Sequence, residues 1–189
     1  MTATTITTRE TAVPTTQVWL IDPAHTQVGF SVKHLMITNV KGRFPTVTGS
    51  IRLDTATARP EVDVSIDASS ITTGDAKRDA HLRSADFLHV EQHPTIRFQA
   101  NRLKGNVDSK FTLEGELTIR GVTRPTVLYV IAEGQASDPW GNAKAGYTAS
   151  TTISRKAFGL EWNVALEAGG VLVGDEVRIT IEAQLVRQN

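Results

Sequence analysis

The chain contains no cysteine. Disulfides, thiolate nucleophiles and cysteine-ligated zinc or iron–sulfur centres are thereby excluded. It also lacks an excess of either charge: 20 Lys and Arg stand against 20 Asp and Glu, with no run of like sign. A neutral chain has no generic attraction for nucleic acid, and no nucleic-acid partner is expected. No apolar stretch approaches the roughly twenty residues a membrane helix needs, so no integral membrane segment is expected. Several motifs are missing as well. There is no phosphate loop, no dinucleotide fingerprint, no H-E-x-x-H and no G-x-S-x-G elbow. Met1 to Gln17 is rich in Thr and Ala and lacks a basic start followed by an apolar run. It reads as a disordered tail over 1–17 rather than a secretory signal, which places the protein in the cytoplasm as an expectation.

What is present is alternation. Val28, Phe30, Val32 and His34 share one face of an extended segment, and Gly29, Ser31 and Lys33 share the other. The pattern returns in Val62, Val64, Ile66; in Ile96, Phe98, Ala100; in Phe111, Leu113, Gly115, Leu117, Ile119; and in Val177, Ile179, Ile181, Ala183, Leu185. Strand side chains point alternately to opposite faces, so each segment has one dry and one wet side. Many such strands close a barrel or pack as a sandwich. The length of 189 residues suits one domain, here 18–189, and 40% hydrophobic residues suffice for a core. The expected fold is all-β: one antiparallel domain of about eight strands with one or two short helices, a count typical of small barrels that hold one ligand.

Punctuation fixes the approximate order. Val18 to Asp22 reads as a first strand, interrupted by Pro23, with alternation continuing from Thr26 to Leu35. Gly42 and Pro45 mark a bend before a strand that carries Val47, Gly49, Ile51 and Leu53. Thr72 to Phe87 breaks the period-two pattern and predicts a helix, with Thr72 and Asp75 as a capping box and Asp79–Arg83 as an i,i+4 pair. Pro94 restarts strand structure, and a meander follows to Ser154. Asn163 is placed to cap a second short helix over Val164–Ala168, before a last strand from about Asp175 to Val186.

The histidines give no metal spacing of weight. His81, His89 and His93 cluster in sequence, but Pro94 stops any helix that would align them, and loop positions are the simpler reading. His34 differs, because parity puts it beside Phe30 and Val32, either as a rim histidine or as a contact for a ligand's polar head. Aromatics are few, at 6%, and inward positions favour Val, Ile, Ala, Gly, Thr and Leu. Small inward residues serve tight packing equally well, or leave room along the axis.

Six segments carry a resemblance: VGFSVKH from Val28, HLRSADF from His81, HPTIRF from His93, GELTIRGVTRP from Gly115, AFGLEWN from Ala157 and GDEVRITIEAQL from Gly174. In this order they resemble the YceI-like family, from about Val18 to Val186. The resemblance implies a lipocalin-like barrel holding a long apolar ligand: a polyisoprenoid, an isoprenoid quinone or a related lipid-like amide. It also implies frequent export to the periplasm, and it is compatible with a homodimer. The chain departs from the family at its Thr-rich start. It departs again at Phe87-Leu88-His89, where two aromatics and an acid are common, so no family role is carried to His89.

The expected function is therefore a binding or carrier protein. Its candidate lining is Val28, Phe30, Val32, Val64, Ile66, Phe98, Leu113, Leu117 and Ile119. His34 would meet a head group, and Phe158 and Trp162 would cover an opening. No catalytic residue, metal or cofactor is expected beyond a bound polyisoprenoid or quinone-like lipid. Two other readings stay open: an isomerase or hydrolase using His34 with a carboxylate, and a filled barrel acting as a stress-related interaction scaffold.

Overall fold

The computed structural model describes residues 16–54, 57, 59–165 and 171–188. The alternating segments become strands because only the extended backbone puts every second side chain into one interior. Among the described residues ten strands form one antiparallel sheet: β1 (Thr16–Ile21), β2 (Gln27–His34), β3 (Thr38–Phe44), β4 (Val47–Asp54), β5 (Arg59–Asp67), β6 (Thr95–Gly105), β7 (Lys110–Ile119), β8 (Val122–Ser137), β9 (Ala143–Ser154) and β10 (Val173–Arg187). The last strand closes the sheet. Its first part pairs with β2, Val177 opposite Val32 and Ile181 opposite Val28; its end pairs with β1, Arg187 opposite Trp19. Because β1 also pairs with β4, the series β1-β4-β5-β6-β7-β8-β9-β10 returns on itself as an eight-stranded barrel. Strands β2 and β3 are two additions beside β10. Closure removes the free edges of the eight-stranded ring, and β3 is left as the sheet's edge strand, bridged at Arg43 by Thr72.

The kink between β1 and β2 falls at Pro23, as the sequence predicts. A 3-10 turn over Pro23–His25 is capped by the Asp22 side chain, which accepts from the Ala24 N–H. The same carboxylate accepts from Lys144 Nζ on β9 and Gln184 Nε2 on β10. One buried-side acid thus pins the bend to two neighbouring strands.

Three expectations need correction. The stretch around Gly42 is strand, not merely a bend: β3 pairs with β2 from Thr38 opposite His34 to Phe44 opposite Val28. Gly42 is needed there because a Cβ would collide with the Phe30 ring across the pair. The helix is shorter than predicted. α1 spans Ala76–Arg83, capped by Asp75, which accepts from the Arg78 N–H. Thr72 cannot belong to it, since its backbone bridges Arg43 on β3. Asp79 turns back to accept from the Thr73 N–H and hydroxyl, and Arg83 donates to the carbonyls of Ser69 and Ile71. Asn163 opens no helix among the described residues, since Val164 is not helical and Ala165 bridges Val171. Its Oδ1 accepts from the Val164 and Val173 N–H groups and its Nδ2 donates to the Val173 carbonyl. Most of the predicted helix at Val164–Ala168 lies outside the described residues. A 3-10 turn occurs just earlier, at Lys156–Phe158, and ends at Gly159 with φ 74°.

The barrel has two unlike ends. At one, the segment 68–94 with α1 and the loop after β9 lie across the opening. At the other, among the described residues, the β6–β7 and β8–β9 connections and the first residues of β1 and last residues of β10 surround it.

Candidate functional site

The inward side chains enclose a cavity of about 630 Å³. Nine of the predicted lining residues bound it: Val28, Phe30, Val32, Val64, Ile66, Phe98, Leu113, Leu117 and Ile119. The facing wall comes from β8, β9 and β10, with Leu128, Val130, Ala149, Ile153, Ile179 and Ile181. Along β10 the lining begins with Val173 at the shut end and, past a register shift, alternates without a break from Val177 to Arg187. At ~3.3 Å per residue and a strand tilt of ~40°, that run covers roughly 25 Å of the barrel axis. Spread over that length, the volume leaves a bore of about 25 Å², the width of one hydrocarbon chain with carbons in contact at ~4 Å.

One end of the bore is shut. Ile71, Phe87, Leu88 and Leu160 are buried there, with Leu82 of α1 beside them. Trp162 braces this plug: its ring lies 4.6 Å from His81, edge-on, and 5.3 Å from Phe87. The loop carrying it is held by Arg155, which is 3% exposed. The Arg155 guanidinium donates to the carbonyls of Gly174, Leu160, Trp162 and Val173. Burial lowers its pKa, and the nearby Asp175 charge opposes that shift. Arginine keeps its proton regardless, so the four carbonyls see a cation. Phe158, 2% exposed, belongs to the core cluster and lines a second pocket between β8 and β9 rather than the bore itself. Phe158 and Trp162 thus do lie at a covered end, but outside the cavity wall.

His34 is also outside that wall. It ends β2 opposite Val173 and Thr38, at the shut end, one alternation beyond Val32. The turn after it places Leu35 at φ 51° and Met36 at φ 61°. The histidines that meet carboxylates are others: His25 on Asp22 and His81 on Asp86. The rings of His89 and His93 lie 5.9 Å apart. Among the described residues no cluster of three His, Asp or Glu has the geometry to hold a metal ion.

The other end is open among the described residues and carries polar side chains beside apolar ones such as Leu53, Leu103 and Val107. Gln17 of β1, Asp108 of the β6–β7 turn, Gln135 of β8 and Arg187 of β10 line it, and the last three are exposed. Tyr147 of β9 stands just inside, half-buried, with its ring 6.1 Å from Phe111. Its phenol is pushed up from the ordinary value of 10.0 by burial and, second, by the Asp108 charge. Sequence reading did not single these residues out, though a signal existed. Arg187 continues the parity of Val177 through Leu185, and Tyr147 lies within the meander that runs to Ser154.

Comparison with known proteins agrees with this architecture. A YceI-like domain profile matches residues 19–185. A UPF0312 protein of Pseudomonas aeruginosa is 35% identical over 165 residues, covering 87% of this chain and 83% of the relative. One from Pectobacterium atrosepticum is 36% identical over 165 residues, with 87% and 82% covered. Among solved structures, BcnA of Burkholderia cenocepacia superposes with a TM-score of 0.72 at 21% identity, over 87% of this chain and 98% of that one. The YceI protein of Campylobacter jejuni gives 0.67 at 28% identity, over 83% and 90%. A polyisoprenoid-binding domain from Saccharophagus degradans gives 0.64 at 15% identity, over 90% and 98%. Matched from Trp19 to Leu185 and more than a third identical to relatives across nearly the whole barrel, the chain belongs to the YceI-like family.

Proposed function

We propose that this protein is a carrier that takes a single long apolar molecule, a polyisoprenoid or the tail of an isoprenoid quinone, out of water and into its barrel. The observation that carries the reading is the aliphatic bore of about 630 Å³, shut at one end and open at the other. The volume falls within the ~300–1,000 Å³ of small-molecule sites. Removing a chain from water is worth roughly 0.8 kcal/mol per CH₂, so an isoprene unit contributes on the order of 3–4 kcal/mol at most. Ordering the flexible chain offsets part of this, and total affinity saturates. The polyisoprenoid-binding domain that shares the fold supports the same ligand class. A bore of this size also weighs against the filled-barrel scaffold. An enzyme using His34 finds no support either, since His34 lies beyond the wall.

The test is organic extraction of the purified protein followed by mass spectrometry, with uptake of an added long-chain quinone measured in parallel. A stoichiometric lipid, or saturable uptake that Leu117→Trp abolishes, is the expected result. A clean extract together with no uptake would sink the reading.

A further inference from the structure

The carrier reading, on which this inference rests, does not say what head group the ligand bears. Among the described residues, the shut end of the bore offers one no charged group that is not already engaged, only the hydroxyls of Thr126 and Thr151 on the wall leading to it. Its side chains are Ile71, Leu82, Phe87, Leu88 and Leu160, and the Arg155 guanidinium there is already directed at four carbonyls. A tail that enters first therefore stops in a dry pocket, and its head stays at the opposite rim.

The rim is polar but not cationic. Among the described residues that line it, Gln17, Gln135 and Tyr147 are neutral, and one cation, Arg187, is matched by one anion, Asp108. A diphosphate head carries several negative charges and is held elsewhere by clusters of Arg or Lys. Here its attraction to Arg187 would be opposed by Asp108 at the same opening. A hydroxyl, amide or quinone carbonyl meets no such opposition and finds donors in Tyr147, Arg187 and the two amides. Burial and the Asp108 charge both keep the Tyr147 phenol protonated, hence a donor.

We propose that the open rim makes this carrier selective for lipids with an uncharged polar head group, with Tyr147 donating to that head and Asp108 turning anionic heads away. Two probes with the same tail test it: geranylgeraniol and geranylgeranyl diphosphate, each titrated into the delipidated protein and into Asp108→Asn and Tyr147→Phe. A diphosphate is better solvated whatever the rim does, so the decisive quantity is how the preference changes with Asp108. Asp108 lies in an exposed turn, and its bond to Asn106 Oδ1 is made by the main chain, so Asn preserves the turn.

The expected result is a wild-type preference for the alcohol of about tenfold or more, shrinking severalfold in Asp108→Asn through tighter diphosphate binding. Tyr147→Phe weakens the alcohol a few-fold and leaves the diphosphate unchanged. Equal binding of the two probes, or a preference that Asp108→Asn does not alter, overturns the proposal and leaves the carrier standing. If neither probe binds and a long-chain quinone also fails, the carrier reading falls and this inference with it.

Discussion

Single side chains fasten this barrel at places where its strands would otherwise part. Asp22 is the clearest. Burial raises the pKa of its carboxyl, but the donors Lys144, His25, Gln184 and the Ala24 N–H outweigh that and bring it down to about 2, from an ordinary 3.8. A carboxyl whose folded pKa is depressed favours the fold above its unfolded value, and that contribution is lost as pH falls through the folded one. Asp22→Asn should therefore melt at lower temperature than wild type at neutral pH, and the gap should close between 3.8 and about 2. Thermal melts followed by circular dichroism at stepped pH check this; a gap that persists at the acid end would mean that the carboxylate charge is not what anchors the kink. Arg155 does the corresponding work at the shut end, where it ties the loop from Leu160 to Gly174 together through carbonyl oxygens.

Among the elements, the β2–β3 hairpin departs most from a plain eight-stranded barrel. β2 supplies Val28, Phe30 and Val32 to the bore although it is not in the closed ring, and β3 backs it. The hairpin packs closely only because Gly42 leaves room for the Phe30 ring, which also meets Phe44 at 5.7 Å. Gly42→Ala should force the Phe30 ring to move and cost about 1–3 kcal/mol, the usual range for overpacking. Chemical denaturation should show this as a lower midpoint, and ligand uptake should fall with it as Phe30 is displaced into the bore. An unchanged midpoint would mean that the ring yields freely. The alternation of β2 is plain in the sequence. β3, by contrast, reads TNVKGRF and has few apolar residues to mark its parity, so its strand character comes from pairing with β2.

At the scale of the whole molecule, the bore is a volume the protein leaves unfilled in its own core. An occupant that binds only the folded state adds stability by mass action, about 2.7 kcal/mol at a free concentration of 100 times Kd. For a chain of this length that amounts to a rise of several degrees in melting temperature. Delipidated protein should therefore melt several degrees below protein saturated with a long-chain quinone in a thermal scan. Leu117→Trp should show little of that gain, because the indole occupies the space. A scan that does not respond to the quinone would argue that the bore closes when empty.

Alternation by itself determined that the chain would be an antiparallel all-β domain whose strands each turn one aliphatic face inward, and the count of about eight strands pointed to a small barrel. Side-chain parity is local, and each strand from Val28 to Leu185 states its own dry face. The segments resembling the YceI-like family were legible for the same reason, as runs of contiguous residues. Only the tertiary structure decided which end of the bore is shut, that His34 falls beyond its wall, and that Gln17, Asp108, Gln135, Tyr147 and Arg187 meet at one rim. Those residues come from four strands and a turn and share no local pattern. They are gathered by ring closure, by the kink at Asp22 that turns β1 onto the end of β10, and by the bulge in β8 near Ala132 and Gly134 that lies just before Gln135.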